Sequence, residues 1–321
     1  MSNSETDAPT VSVLIPTYNR PVYLRAALAS VLAQSFGDFE VIVQDNASEI
    51  DPGEIIAAIG DPRIHCYRNA ADLGITGNIV AAAAHARGKY VAILGDDDVW
   101  EPDFLSELVA PLEASPSLVL AFCDHGIIDG AGRQEAAVAD KVTRRFRRHL
   151  LRAGVYCPFD EIALVARSIC TISGAVLRRD DIDWKAIPVE MRWGVDLYLA
   201  YLAARTEKGC YYVPRRLSQY RYHKGSAASS LKRVDQRVNN ARSAMLYWEQ
   251  MLRDGKIHRN KTYFAMKLGY NAIVIAIALA RAGRWREALG ELRSDWTAGM
   301  LSPRILLYHL LYALRLHRAT A

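Results

Sequence analysis

The chain has 321 residues, 51% of them hydrophobic and 23% charged, a balance that excludes a disordered or fibrous protein and supplies core for about two domains. Its formal charge of +5 is mild and the basic residues are scattered, so nucleic acid is not a partner that composition calls for. Five cysteines, Cys66, Cys123, Cys157, Cys170 and Cys210, are odd in number and far apart, with no CxxC pair; they fit a reducing cytoplasm better than a disulfide framework or a zinc site.

Residues 1–10 are polar, lack a signal-peptide pattern and are predicted to be disordered. The next stretch alternates strand and helix signals: VSVLIP (11–16) is a buried strand, and residues 21–34 a helix opened by proline. FEVIVQD (39–45) and RIHCYR (63–68) are further strands, flanking a short helix at 51–60 that glycine closes. A helix over 74–88 and a strand KYVAILG (89–95) complete the run. Such alternation predicts a parallel sheet with helices on both faces.

Beyond residue 105 the pattern loosens, with a helix near FLSELVAPLEA, strands at 118–124 and 171–178, and a helix over 189–205. The cluster KVTRRFRRHLLR (141–152) reads as a solvated face or as a patch for an anionic substrate or lipid headgroup. Past Ser226 only helical patterns remain. AIALARAGRWREALGELRS resembles one tetratricopeptide-like hairpin, which cannot bury its own face alone. The longest apolar stretch, thirteen residues at 268–280, falls short of the ~20 that a spanning helix needs. The tail LSPRILLYHLLYALRLHRATA (301–321) reads either as a packed terminal helix or as a basic, apolar segment for peripheral, salt-sensitive association with the inner face of the cytoplasmic membrane.

In open sheets of this kind ligands bind outside the carboxyl ends of the strands. There the sequence places PTYNR (16–20), DNAS (45–48) and GDDD (95–98). Three successive aspartates, Asp96, Asp97 and Asp98, exceed what helix capping requires. Adjacent carboxylates repel unless a cation or a proton intervenes, and hard cations such as Mg²⁺ or Mn²⁺ that carry substrate phosphates suit them.

These segments together, VSVLIPTYNRPVYLRAALASVLAQSFGDFEVIVQDNAS followed by GKYVAILGDDDVWEPDFL, resemble the family 2 glycosyltransferases, inverting enzymes that use nucleotide-sugars. The likeness runs from about Val11 to Ser226. It implies a glycosyltransferase A-type fold: a nucleotide-binding, doubly wound mixed sheet with a helical C-terminal extension. Residues 11–105 would form the nucleotide-sugar half, 106–225 the acceptor half of the same domain, and 226–321 the extension. By the same resemblance Pro16, Thr17, Tyr18, Asn19, Arg20, Asp45, Asn46, Asn78 and Asp96 bind the nucleotide, Asp45 accepting from the base.

The family's usual Asp-x-Asp-Asp is altered here, because its first position is Gly95. The implied metal ligand is then Asp97, with Asp98 supporting the ion through water or capping the helix that starts near Pro102. Asp196, in MRWGVDLYLAYLAA, matches the family's catalytic base, although Val195 replaces its usual acidic neighbour. In SQYRYHKGSAASS (218–230), His223 would reach the metal or the diphosphate, while Arg221, Lys224 and Ser226 form a cationic lid with Gly225 as its hinge.

The implied reaction is a single displacement on a UDP-sugar by a hydroxyl of a glycan or lipid-linked acceptor, assisted by Mn²⁺ or Mg²⁺, in surface polysaccharide synthesis. A nucleotidyltransferase is the rival enzyme class, but PTYNRPVY lacks its glycine-rich basic loop. A non-catalytic nucleotide-sugar-binding protein or an assembly subunit is the other rival, and the presence of Asp196 weighs against the former. Oligomeric state, sugar and linkage have no signature in the sequence.

Overall fold

Strand β1 (Val11–Thr17) is buried along almost its whole length, as expected of a run of branched apolar residues covered on both faces. In a computed structural model, which describes residues 8–191, 193–223 and 234–297, it lies parallel between β2 (Phe39–Asp45) and β4 (Tyr90–Ile93). Strand β3 (Ile64–Arg68) extends the parallel part beyond β2. Helices α1 (Pro21–Leu32), α2 (Gly53–Ile59) and α3 (Gly74–Ala83) are the crossovers. α1 starts with proline in its first turn, where a missing N–H costs nothing, and α2 stops at Gly60, whose φ of 68° is left-handed.

The helix expected over 74–88 ends five residues early because residues 87–88 bond to β1 and β2 instead. Ser12 Oγ accepts from Gly88 N–H at 2.8 Å, and Arg87 pairs with buried Glu40. A Cβ at Gly88 would lie 2.5 Å from the Ser12 nitrogen, so glycine is what permits this close approach.

After β5 (Val99–Trp100) and α4 (Phe104–Ala114), the chain builds the mixed half of the sheet from β6 (Leu118–Asp129), β7 (Gly154–Tyr156), β8 (Ala175–Arg178) and β9 (Gly209–Tyr222). The order is β3-β2-β1-β4-β8-β6-β9-β5, with β7 paired to β9. β8 runs antiparallel between β4 and β6, whereas β6 and β9 are parallel. Helices α5 (Ala136–Arg145) and α6 (Val195–Ala204) belong to this half. The main core packs Leu24, Leu28 and Val31 of α1 and Leu105, Leu108 and Leu112 of α4 with the sheet.

The described residues form two compact units: residues to Glu190 together with Val195–His223, and Met191–Gly194 together with the helices that follow. The second contains α7 (Val234–Arg253), α8 (Lys261–Arg281) and α9 (Trp285–Thr297). α8 begins seven residues before the apolar stretch at 268 and has 21 residues, so it is long and apolar enough to cross a membrane by length and composition alone. The uncharged stretch of thirteen residues thus lies inside a longer helix. Half of its apolar window is buried within the protein.

The basic cluster at 141–152 also departs from expectation at one position. Arg148 is not a surface cation: it is 1% exposed, and its Nε donates to Asp124 at 2.7 Å. The N-terminal residues 1–7, Lys224, Ser226 and the tail 301–321 lie outside the described residues.

Candidate active site

The three aspartates form a turn between β4 and β5, and each has a different environment. Asp96 is 4% exposed and accepts at Oδ2 from Thr17 Oγ1 (2.9 Å) and Tyr18 N (3.2 Å), so the end of β1 is fastened to it. Arg20 Nη1 reaches both Asp96 Oδ1 (2.9 Å) and Asp97 Oδ2 (2.7 Å). His223 Nε2 lies 3.0 Å from that same Asp97 oxygen. Burial pushes Asp96 up to about 6, with Arg20 opposing the rise and Asp97 adding to it.

Asp98 is fully engaged in the fold. Its Oδ2 accepts from Ser173 Oγ at 2.8 Å and its Oδ1 from the Arg221 N–H at 2.9 Å, tying the turn to the segment just before β8 and to β9. Burial, then the charge of Asp97, push its carboxyl up to about 8 against these two donors. It does not cap α4, because β5 intervenes and the helix starts at Phe104, after Asp103.

Gly95, the departure from the family pattern, is closely approached by two of the aspartates that follow it. A Cβ there would lie 3.2 Å from both Asp97 Oδ1 and Asp98 Oδ2.

Arg221 also differs from the expected lid. It is 6% exposed, donates from Nε to the Asp97 carbonyl at 2.7 Å and from Nη1 to the Asp129 carbonyl at 3.2 Å, and lies 5.0 Å over the Tyr23 ring. These bonds commit it to bracing the aspartate turn. The same Tyr23 ring lies 4.7 Å from that of His223. Tyr23 and Ser173 carried no signal in the sequence, since each matters only through a partner far along the chain.

At the end of β1, Pro16 and Thr17 lie beside Gln44 and Asp45 of β2. Tyr18 is 46% exposed, and its ring is therefore accessible to a ligand. Asn19 takes a left-handed φ of 54°, fixed by Ser48 Oγ on its N–H and by its Oδ1 on the Glu49 N–H. Asp45 is fully buried, accepting from Ser48 N and paired with Arg68 at 3.0 Å.

Asn46 and Asn78 are both buried, and both are spent on the scaffold. Asn46 bonds to Asp72, Asn69 and the Leu73 N–H, while Asn78 donates to the Gln44 carbonyl and accepts from Asn69. Their polar atoms bond to protein groups.

Asp196 opens α6, and its Oδ1 accepts from the Ile172 N–H at 3.0 Å. Burial pushes its carboxyl above the usual range, opposed by that N–H and by the nearby charge of Arg167. Burial foremost, then the charges of Asp98, Asp97 and Asp196, push the Tyr220 hydroxyl upward.

Among the described residues no three His, Cys, Asp or Glu side chains form a ready metal cluster. Asp97 and His223 nevertheless present an oxygen and a nitrogen 3.0 Å apart, and the Arg20 cation already rests on that oxygen. This donor pair fits a cation such as Mn²⁺ or Mg²⁺, which fills its remaining positions with substrate phosphates and water.

The mixed sheet, with carboxylates and cations gathered at its strand ends, has the glycosyltransferase A-type architecture, which solved structures share. Staphylococcus aureus TarS in complex with UDP-GlcNAc superposes with a TM-score of 0.65 at 17% identity, over 89% of this chain and 81% of that one. The Pyrobaculum calidifontis mannosyltransferase PcManGT, in complex with GDP-Man and Mn²⁺, does so with a TM-score of 0.56 at 19% identity, over 96% and 87%. The chain belongs to glycosyl transferase family 2, whose model matches residues 12–171.

An uncharacterized glycosyltransferase of Nostoc sp. is 25% identical over 89% of this chain and 84% of its own length. The Escherichia coli enzyme UDP-Glc:alpha-D-GlcNAc-diphosphoundecaprenol beta-1,3-glucosyltransferase WfaP is 34% identical over 32% of this chain. That match spans 41% of WfaP.

Proposed function

We propose that this glycosyltransferase moves a sugar from a UDP-sugar to a hydroxyl of a glycan or lipid-linked acceptor, with inversion at the anomeric carbon, in surface polysaccharide synthesis. The carrying observation is the convergence of Asp96, Asp97, Arg20 and His223 at the strand ends. The acceptor class rests on likeness to WfaP, and the uridine donor on the UDP-GlcNAc complex of TarS and on the activity that names WfaP. Tyr18 and the end of β1 would receive the nucleoside, and Arg20 the diphosphate.

Asp196 takes the proton of the attacking hydroxyl, its carboxylate oriented by the Ile172 N–H and made more basic by burial. One attack from the face opposite the leaving group inverts the configuration. A divalent cation held by Asp97 and His223 would supply electrostatic stabilisation of the departing diphosphate. Arg221 and Ser173 keep the aspartate turn in place through Asp97 and Asp98.

Calorimetry with UDP tests the donor reading: micromolar binding is expected with Mn²⁺ and little after chelation, because the aspartates and a diphosphate repel. Equal affinity in both conditions overturns the metal-assisted mechanism. Asp97→Asn should abolish most of the metal dependence. The configuration of the transferred sugar, read by NMR on a model acceptor, decides inversion.

A further inference from the structure

Arg20 is the cation in direct contact with two of the three aspartates: one Nη1 bridges Asp96 Oδ1 and Asp97 Oδ2 at 2.9 and 2.7 Å. The Asp97 oxygen it holds is the one that His223 approaches at 3.0 Å. A divalent cation taking that oxygen must therefore meet a guanidinium already on it, and like charges that close repel strongly in a partly buried site.

Two features let Arg20 move without disturbing the fold. Its backbone is fixed: Asn19 is tied to Ser48 and Glu49, and the Arg20 carbonyl accepts the Leu24 N–H at 3.0 Å. Its side chain is 26% exposed, so a rotamer change suffices.

A guanidinium suits the destination as well as the origin. Its planar fork of donors matches phosphate oxygens in bidentate fashion and is more weakly hydrated than an ammonium. Arg20 also precedes the N-terminus of α1, whose unpaired N–H groups and dipole favour an anion.

We propose that Arg20 is the built-in counter-cation of the donor site: it occupies Asp96 and Asp97 until a nucleoside diphosphate arrives with its divalent cation, and then transfers to the diphosphate. This role rests on the reading of Asp97 as the cation's ligand. Its consequence is coupling. The divalent cation alone displaces Arg20 with nothing offered in return, whereas cation and diphosphate together exchange one set of partners for another. Each therefore raises the other's affinity by the same factor.

The test is Mn²⁺ binding, followed by the electron paramagnetic resonance of the free ion, with and without UDP. It compares the full-length protein with Arg20→Gln and Arg20→Lys. Native protein should bind Mn²⁺ weakly alone and at least about tenfold more tightly with UDP, a coupling of ordinary allosteric size. Arg20→Gln removes the competing charge, so Mn²⁺ alone should bind about tenfold more tightly than to native protein while UDP binds more weakly, and the coupling shrinks to what direct contact of the ion with the phosphates supplies.

Arg20→Lys keeps a charge but not the fork: competition with Mn²⁺ should persist while UDP affinity falls. A glutamine variant that binds Mn²⁺ alone no better than native protein, yet still forms the complex with Mn²⁺ and UDP, overturns the counter-cation role. Failure of native protein to bind Mn²⁺ even with UDP overturns the cation site itself, and the role with it. The lysine variant separates charge from structure, because a defect of folding would loosen Mn²⁺ and UDP in both variants alike.

Discussion

Asp196 shows how a working group can weaken the fold that holds it. Burial raises its carboxyl above the unfolded value, so at pH between the two values the folded state binds more protons than the unfolded one, and stability falls as pH rises. The stability is fully present below the unfolded value of about 4 and is lost as pH climbs through the raised one. Asp196→Asn removes the charge and keeps the shape. We expect a higher melting temperature than native protein at pH 7, a gap that closes on acidification below about pH 4, and turnover lower by about 10²-fold or more with UDP and Mn²⁺ binding retained. Melting curves across pH together with single-turnover rates check both halves; a variant less stable at pH 7 would mean that the Ile172 bond outweighs the burial cost. The carboxylate was legible in the sequence because an acid at the head of an apolar helix stands out, whereas Ile172, 24 residues earlier, gives no such sign. The surroundings of Gly95 were invisible too, since a Cβ there would approach two carboxylates at 3.2 Å. Gly95→Ala should cost about 1–3 kcal/mol by overpacking, measured by denaturant titration, and loosen the turn that carries Asp97.

The elements divide by how local their causes are. β1, β2 and β4 were readable because each is a short, largely apolar run bounded by turn residues and buried almost throughout, and such a strand needs nothing more. β9 was not: CYYVPRRLSQYRY contains a proline and three arginines and reads as loop. It is a strand of 14 residues because β6, β5 and β7 all pair with it. Its exposed Pro214 and Arg215 sit beside the register shift near Asp124, where an irregularity removes the need for a ladder N–H. That strand delivers Arg221 and His223 to the aspartates, so half of the site's framework depended on a pairing the sequence does not announce. Ser173 is the other hidden joint, donating to Asp98 and accepting from the Gly95 N–H at 3.1 Å. Ser173→Ala leaves a buried acceptor and a buried donor without it, and should cost about 1–3 kcal/mol. Beyond stability, the loss should weaken Mn²⁺-dependent UDP binding, because the turn is then held at Asp98 by the Arg221 N–H without the serine.

At the scale of the molecule, the second unit turns on what α8 is for. Its 21 residues satisfy the length and hydropathy of a spanning helix, and a membrane-resident acceptor would give such a helix a purpose. The packing argues otherwise. Phe264, Leu268, Ala272, Ile275 and Leu279 recur at helical spacing and are at most 3% exposed, and the Phe264 ring stacks on that of Trp248 from α7 at 5.8 Å. Val238 and Ala241 of α7 and Ala288 and Leu292 of α9 join the same core. Moving α8 into lipid would strip the buried face from α7 and α9 and leave their apolar residues in water, at about 25 cal/mol for each Å² exposed. Lys267, Arg281 and the ion pair of Arg242 with Glu291 mark the outer surface as aqueous. Bound to anionic vesicles at low salt, the protein should therefore be released by 0.5 M salt or by alkaline carbonate, since about 1 kcal/mol per basic residue near a charged surface is screened while an inserted helix is not. Trp248→Ala, which opens the core by about 3–5 kcal/mol, should lower the thermal transition of the helical unit without making the association salt-resistant. Retention of the native protein in the carbonate pellet would mean that α8 leaves its partners for the bilayer and that the buried face described here is only one of its two environments.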